Sequence, residues 1–265
     1  MTNLAKAVKT RLDMAMVARG MAESRTQAQA MIMAGDVLVN GAAALHASNS
    51  VRVVDLIDLK AKPRFVSRGG EKLAAAIAAF HIDPKDATCV DLGASTGGFT
   101  DCLLQAGAAK VYAVDVGHGQ IDDRIRRNRR VVSMERVNAR YLEALPEPVS
   151  VAVIDVSFIS LKLILPVALI LLTDGGVCIP LIKPQFEAGK GQVGKGGVVR
   201  EVEIHRSVLN EILGFAAGHG FSVLGLTASP ILGPAGNREF LAHLIKSNEA
   251  GRAIDALIDA VAPPA

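Results

Sequence analysis

From Thr88 onward the chain alternates short apolar runs with segments of helical period. Thr88–Leu92, Lys110–Val114, Val151–Asp155, Val177–Ile182 and Ser222–Leu226 read as buried strands, with helix-length segments between the first four. Phe240–Ile245 reads as a last strand. This pattern predicts an open, mainly parallel α/β sheet with helices on both faces, and such sheets bind ligands at the carboxyl ends of their strands. Between Leu163 and Ile182 only Asp174 is charged, which imitates a membrane span of about 20 apolar residues. Pro166 and the T-D-G-G turn at Thr173–Gly176 divide that run into a buried helix, a turn and the strand V-C-I-P-L-I.

The first sixty residues follow a different pattern. Arg11–Ala18 is a short amphipathic segment with Leu12, Met16 and Val17 apolar, ended by Gly20. Ser24 is placed to cap a second helix, Arg25–Ala34, closed by Gly35. Val37 and Val39 then lead into Asn40-Gly41, a type I′ hairpin signal, and Val51, Val53 and Asp55–Ile57 supply further strand. Lys60, Lys62, Pro63 and Arg64 make a polar connector. The expected organisation is a small α+β module over residues 1–60, a linker over 61–64 and the α/β domain over 65–265. Arg64, Arg68 and Lys72 share four-residue spacing and would lie on one helix face, although Gly69-Gly70 argues for a late helix start.

Composition changes this picture little. The net charge of +3 is too small to imply a nucleic-acid partner by itself, so the placement of positive charge matters more. Trp is absent and aromatic residues make up 4%, which leaves a core of Ala, Val, Leu and Ile. Cys89, Cys102 and Cys178 are widely spaced, fitting neither a disulfide framework nor a zinc site, and suit a reducing cytoplasm. The first twenty residues are interrupted by charge and lack a signal-peptide core. A cytoplasmic, monomeric protein without metal or membrane is expected. R-I-R-R-N-R-R, Arg124–Arg130, is the densest basic cluster; a solvated helix face and RNA phosphate contact are both open readings.

The candidate chemistry falls at the strand ends. D-L-G-A-S-T-G-G-F, Asp91–Phe99, is a strand, a glycine-rich turn and a helix start near Phe99. Gly93, Gly97 and Gly98 would let a cofactor approach the backbone. With Gly93, Ser95 and Gly98 the turn is a degraded dinucleotide signature, and Asp115 lies near the distance of a ribose-binding acid. Alone, the turn fits a nicotinamide oxidoreductase as well as a methyltransferase. Asp91, an acid directly before the turn, favours the methyltransferase, with S-adenosylmethionine as cofactor. Gly189–Lys195 imitates a phosphate-binding P-loop, but Gly196 replaces the required Ser or Thr and P-Q-F separates it from the strand. A mobile loop at the mouth of the site is expected instead. Lys72, Asp155, Lys183 and Glu239 complete the polar set. A lysine directly after a buried strand is costly unless paired, and Asp155 is the natural partner of Lys183.

These segments carry two resemblances. R-L-D at Arg11–Asp13, Gly20, S-R-T-Q-A at Ser24–Ala28, Ile32, Gly35 and V-L-V-N-G at Val37–Gly41 resemble the αL RNA-binding domain of ribosomal and RNA-modifying proteins. That likeness implies RNA contacts by Arg11 and Arg25, with Arg19 nearby; Arg64 and Arg68 are further candidates. V-S-R-G-G-E-K-L, D-L-G-A-S-T-G-G-F-T, D-V-S-F-I-S-L, K-P-Q-F-E-A-G-K-G-Q-V-G and G-P-A-G-N-R-E-F resemble the TlyA, or hemolysin A, family of FtsJ-like RNA ribose methyltransferases. The likeness spans nearly the whole chain. It implies a Rossmann-like methyltransferase domain acting on the ribose 2′-hydroxyl of cytidines in ribosomal RNA or ribosomal subunits. It also implies a catalytic tetrad at Lys72, Asp155, Lys183 and Glu239. The implied cofactor site runs through Asp91, Gly93, Ser95, Thr96, Gly97, Gly98, Phe99 and Thr100 to Asp115 and Val116. The family's hemolysin name invites a membrane-active alternative, for which the chain offers no span or lytic helix.

Overall fold

The computed structural model describes residues 9–59, 63–189 and 191–262, and the chain divides into two compact units between Pro63 and Arg64. Lys60 and Lys62 of the expected connector, and Lys190 of the glycine-lysine loop, lie outside the described residues.

The N-terminal unit contains β1 (Lys9–Arg11), α1 (Leu12–Ala18), α2 (Arg25–Met33), β2 (Val37–Val39), β3 (Ala42–Ala43), β4 (Ser50–Arg52) and β5 (Ile57–Leu59). The Ser24 hydroxyl accepts the Gln27 N–H at 3.2 Å, which starts α2 where a capping residue should. Asn40 and Gly41 take positive φ between β2 and β3, as the hairpin turn requires. Leu12, Met16, Ile32, Val37, Val51 and Ile57 close a small core. Val53 and Asp55, expected in strands, instead form the connection from β4 to β5. The Arg19 guanidinium holds that connection by donating to the carbonyls of Arg52, Val53 and Asp55.

The second unit contains α3 (Gly69–Phe80), β6 (Thr88–Leu92), α4 (Gly98–Gln105), β7 (Lys110–Asp115), α5 (Asp123–Arg126), β8 (Val131–Glu135), β9 (Val149–Ile154), α6 (Leu165–Leu171) and β10 (Leu172–Ile182). It ends with α7 (Pro184–Glu187), α8 (Val202–Ala217), β11 (Phe221–Ala228), β12 (Phe240–Lys246) and α9 (Ile254–Val261). The seven strands are ordered β11-β12-β10-β9-β6-β7-β8; β12 alone runs antiparallel to its neighbours. Alternate residues face opposite layers. Val90, Leu92, Val114 and Ile154 pack with α6, α8 and α9, whereas Cys89, Val111 and Val153 pack with α3 and α4. This is the doubly wound, Rossmann-like sheet that the sequence pattern predicts.

Three local expectations need correction. Leu172–Ile182 is one strand that carries T-D-G-G as an irregularity in its register with β9, with Gly175 at φ +75°. Pro166 sits in the first turn of α6, where its missing N–H costs no helical bond. Val131–Glu135 is a parallel edge strand absent from the sequence reading. The arginines before it do not share a helix face, because α5 ends at Arg126.

Candidate active site

The polar residues of the second unit converge at the carboxyl edge of the sheet. Asp155 and Lys183 directly follow the parallel strands β9 and β10. Glu239 directly precedes β12, whose reversed direction brings its beginning to the same edge, with Ile182 opposite Phe240. Lys72 approaches from the first turn of α3. Helix α3 begins at Gly69, so Arg64 is outside it and Arg68 is its cap; the shared face expected for Arg64, Arg68 and Lys72 does not form. Arg64 lies over the Phe65 ring, and Arg68 donates to the Leu232 carbonyl.

The four tetrad residues form two ion pairs. Lys72 pairs with Glu239, and the two are 7% and 2% exposed. The Lys183 ammonium lies 2.6 Å from Asp155 Oδ1 and donates to Ser157 Oγ at 2.9 Å. Gln185 joins the first pair by donating to Glu239 Oε1 at 3.1 Å. Pairing and hydrogen bonding offset the cost of bringing these charges out of water. Lys183 has three N–H donors; Ser157 takes one in hydrogen-bond geometry and Asp155 pairs with the ammonium by charge, so at least one remains for a further oxygen.

Two cavities meet at this cluster. A cavity of about 740 Å³ is bordered by Lys72, Lys183, Gln185, Glu239, Phe99, Phe158 and Phe186. A second, of about 410 Å³, is bordered by Asp115, Val116, Gln120, Val137, Asn138 and Ile164. Gly93, Ser95, Asp155, Ser157 and Phe158 border both. Phe158 is 90% exposed at φ +62°, a strained backbone for a bulky residue, and its ring centroid lies 4.7 Å from that of Phe186.

The glycine-rich turn is built chiefly by the chain's own packing. A Cβ on Gly93, at φ +92°, would come 2.7 Å from the Asp155 carbonyl oxygen. A Cβ on Gly98 would collide with Ser67 Oγ, and Gly97, at φ +94°, is packed by Ile121 and Ile125. The expected reason for these glycines, room for a ligand, is therefore secondary at Gly97, which borders neither cavity. Thr96 also borders neither; its carbonyl accepts the Asp122 N–H. Phe99 borders the larger cavity, and Val116 is exposed beside the smaller.

Asp91 is fully buried and accepts the Thr100 hydroxyl on Oδ2 at 2.7 Å, while Oδ1 has no partner. Burial, with smaller contributions from Asp155 and Asp115, raises its pKa from 3.8 to about 7. Asp115 accepts the backbone N–H groups of Ser95 at 2.8 Å and Gly117 at 2.7 Å, which fixes its carboxylate beside the smaller cavity.

Sequence reasoning missed three contributors. Ser157 and Gln185 lie inside the quoted motifs, but their contacts are tertiary. Asn237 is 2% exposed, accepts the Val199 N–H and donates to the Gly197 carbonyl. Asn237 thus ties the segment that follows the glycine-lysine loop to the loop before β12, and Gly196 and Gly197 border the larger cavity.

In the N-terminal unit, Arg11 and Arg25 do not stand free. Both pair with the buried Asp13, each at 2.9 Å, and Gln29 adds a third side-chain donor. These donors hold the Asp13 carboxyl far below the usual carboxylate range, with Arg11 the largest influence. In the basic cluster, Arg124 pairs with Asp122, Arg126 and Arg127 pair with Asp123, and Arg130 donates to the Leu104 and Ala108 carbonyls.

A doubly wound sheet with a glycine-rich first turn, an acid ending the second strand and a lysine-carboxylate cluster across the cleft defines a Rossmann-like methyltransferase. The chain belongs to the FtsJ-like methyltransferase family, whose profile matches residues 65–246, and an S4 domain matches residues 10–57. It is 40% identical to the 16S/23S rRNA (cytidine-2′-O)-methyltransferase TlyA of Mycobacterium tuberculosis, over 96% of each chain. It is 47% identical to YqxC of Bacillus subtilis, described as a candidate rRNA methyltransferase, over 89% of this chain and 85% of the relative. A solved structure from Streptococcus thermophilus, described as a candidate hemolysin, superposes with a TM-score of 0.73 at 45% identity over 95% of each chain. Among the described residues, no helix is long and apolar enough to cross a membrane, and no side-chain cluster suits a metal ion.

Proposed function

We propose that the protein methylates the ribose 2′-hydroxyl of a cytidine in ribosomal RNA, using S-adenosylmethionine. The observation that carries this reading is the junction of the two cavities, where Lys183 is held by Asp155 and Ser157 with one N–H to spare. The names of the M. tuberculosis and B. subtilis relatives support the choice of ribosomal RNA, and the former supports cytidine. A ribosomal-RNA substrate places the work in the cytoplasm.

The smaller cavity suits the cofactor. The fixed Asp115 carboxylate borders it and suits ribose hydroxyls, whereas Asp91 is fully buried and borders neither cavity, its unpartnered Oδ1 offering an acceptor only to an ammonium group that enters the turn. Gly93, Ser95 and Val116 border the smaller cavity beside Asp115, while Thr96, Gly97, Gly98, Phe99 and Thr100 shape the turn. When bound, S-adenosylmethionine supplies an electrophilic sulfonium methyl group.

The tetrad supplies alignment and charge. The spare Lys183 N–H orients a 2′-hydroxyl oxygen and stabilises the negative charge that develops there as the oxygen takes the methyl from sulfur and its proton passes to water. Asp155 and Ser157 prevent the ammonium from swinging away. Lys72 reinforces the positive field, and Glu239 holds Lys72 in place. Residues 9–59 serve as the RNA grip, where the exposed parts of Arg11 and Arg25 remain available to phosphates while both brace Asp13. Within the second unit, Arg64 and Arg68 are separate candidates for phosphate contact.

Mapping 2′-O-methylation across ribosomal RNA with and without the protein tests the proposal. A cytidine that loses its methyl group when the protein is removed, and regains it in vitro with S-adenosylmethionine, is the expected result. An unchanged map together with no in vitro transfer to ribosomal RNA would overturn it.

A further inference from the structure

Gln185 occupies an unusual position between the two ion pairs. It lies two residues beyond Lys183, beside Phe186, and borders the larger cavity. Its amide nitrogen donates to Glu239 Oε1 at 3.1 Å. Its amide oxygen, Oε1, is buried and has no hydrogen-bond donor. The orientation of the amide is set by chemistry: a flipped amide would turn its oxygen toward a carboxylate that offers no proton while paired with Lys72. The chain thus fixes an unpaired, buried acceptor on a residue that borders a cavity large enough for a nucleoside.

A buried acceptor without a donor is costly, and a substrate that brings the missing N–H recovers the loss. We propose that Gln185 determines base specificity, its Oε1 accepting a hydrogen bond from the exocyclic amino group of the target base. Cytosine and adenine carry such a group, at N4 and N6, whereas uracil presents an oxygen at that position. Two facing oxygens would repel, and the Gln185 acceptor would remain unsatisfied. Sites built around an N–H donor reject analogues that lack it far better than apolar pockets reject a change in size. This inference rests on the RNA methyltransferase reading. It adds that the same residue which orients Glu239 also distinguishes cytidine from uridine.

The test uses ribosomal RNA transcripts carrying cytidine or uridine at the position located by methylation mapping. The full-length wild type and Gln185→Met are compared, Met being close in size and lacking both polar atoms. The wild type should favour cytidine by roughly tenfold to a hundredfold in kcat/KM, the range expected for one unpaired buried acceptor. In Gln185→Met the ratio should fall toward one, whatever the overall loss from releasing Glu239. S-adenosylmethionine affinity and circular dichroism confirm that the variant is folded; should it fail to fold, Gln185→Leu replaces it and the wild-type ratio is still decisive. Equal loss on both transcripts would mean that Gln185 only positions Glu239, and equal wild-type rates on both would mean that no base is selected; either result overturns the inference and leaves the methyltransferase reading intact. Absence of wild-type transfer to any ribosomal RNA would instead remove the reading on which the inference stands.

Discussion

Replacing Asp91 by Asn should stabilise the ligand-free protein while weakening its hold on the cofactor. The Asp91 carboxyl is fully buried, has one unpartnered oxygen and titrates at about 7 against 3.8 for an unperturbed Asp. Its pKa is raised by folding, so its favourable contribution is complete below about pH 4 and is lost as the pH rises to about 7. Above that window the folded protein carries a buried negative charge that the unfolded chain holds in water. At roughly 1.4 kcal/mol for each tenfold change in proton affinity, the whole shift corresponds to about 4 kcal/mol. Local relaxation and the unpartnered amide of Asn reduce the expected gain to about 2 kcal/mol. For a domain of this size that raises Tm by roughly 4–8 °C. Asn keeps an acceptor for the Thr100 hydroxyl, so the surrounding geometry should survive. Scanning calorimetry at pH 5 and pH 8 provides the assay, with and without S-adenosylmethionine. The advantage of Asp91→Asn should be larger at pH 8, and the cofactor-induced rise in Tm should be smaller than in the wild type. A variant no more stable than wild type at pH 8, or an advantage that shrinks as pH rises, would refute the reasoning.

Three other outcomes are expected. Lys183→Ala should reduce methyl transfer by about a thousandfold, comparable with loss of a preorganised transition-state donor, while cofactor affinity by calorimetry changes little; near-wild-type turnover would leave Lys183 only a structural ion-pair member. Gly93→Ala should destabilise the second unit by several kcal/mol or prevent its folding, because its Cβ would meet the Asp155 carbonyl at 2.7 Å with φ at +92°; a soluble variant with unchanged Tm would contradict the packing argument. Arg11→Ala with Arg25→Ala should lower the stability of the N-terminal unit in thermal unfolding, because the buried Asp13 carboxylate loses two of its three side-chain donors. The same double variant should also bind ribosomal RNA with a shallower salt dependence, measured by filter binding, and an unchanged slope would assign both arginines to Asp13 alone.

The readable parts of the sequence were those where a local pattern and a tertiary role coincide. Asp155 and Lys183 could be located because each ends an apolar run, and a charge abutting a buried strand requires a nearby partner. Val131–Glu135 escaped detection because it is an edge strand, with Val132 and Ser133 exposed and a row of arginines before it. Thr173–Gly176 carries the residues of a turn and forms an irregularity without paired residues, yet the strand continues because Leu172 and Val177 on either side both pair with β9. The resemblance that marks Arg11 and Arg25 as RNA contacts gives no sign of their shared partner, because Asp13 looks like one more polar position on a short helix; its burial depends on the whole N-terminal core. Gln185 offered no local signal at all, since the residue that defines its orientation, Glu239, lies 54 positions away.

The separation of Lys72 and Glu239 along the chain also sets the order in which the lysine-carboxylate cluster can come into existence. Lys72 and Glu239 are separated by 167 positions, so their ion pair must wait for nearly the entire chain to emerge during translation. At typical synthesis rates that interval is roughly 10–30 s. Throughout it the N-terminal unit is already complete, whereas Lys72 has no Glu239 to meet and β10 lacks its antiparallel neighbour. A nascent chain therefore completes its S4 unit well before the lysine-carboxylate cluster of the second unit can close.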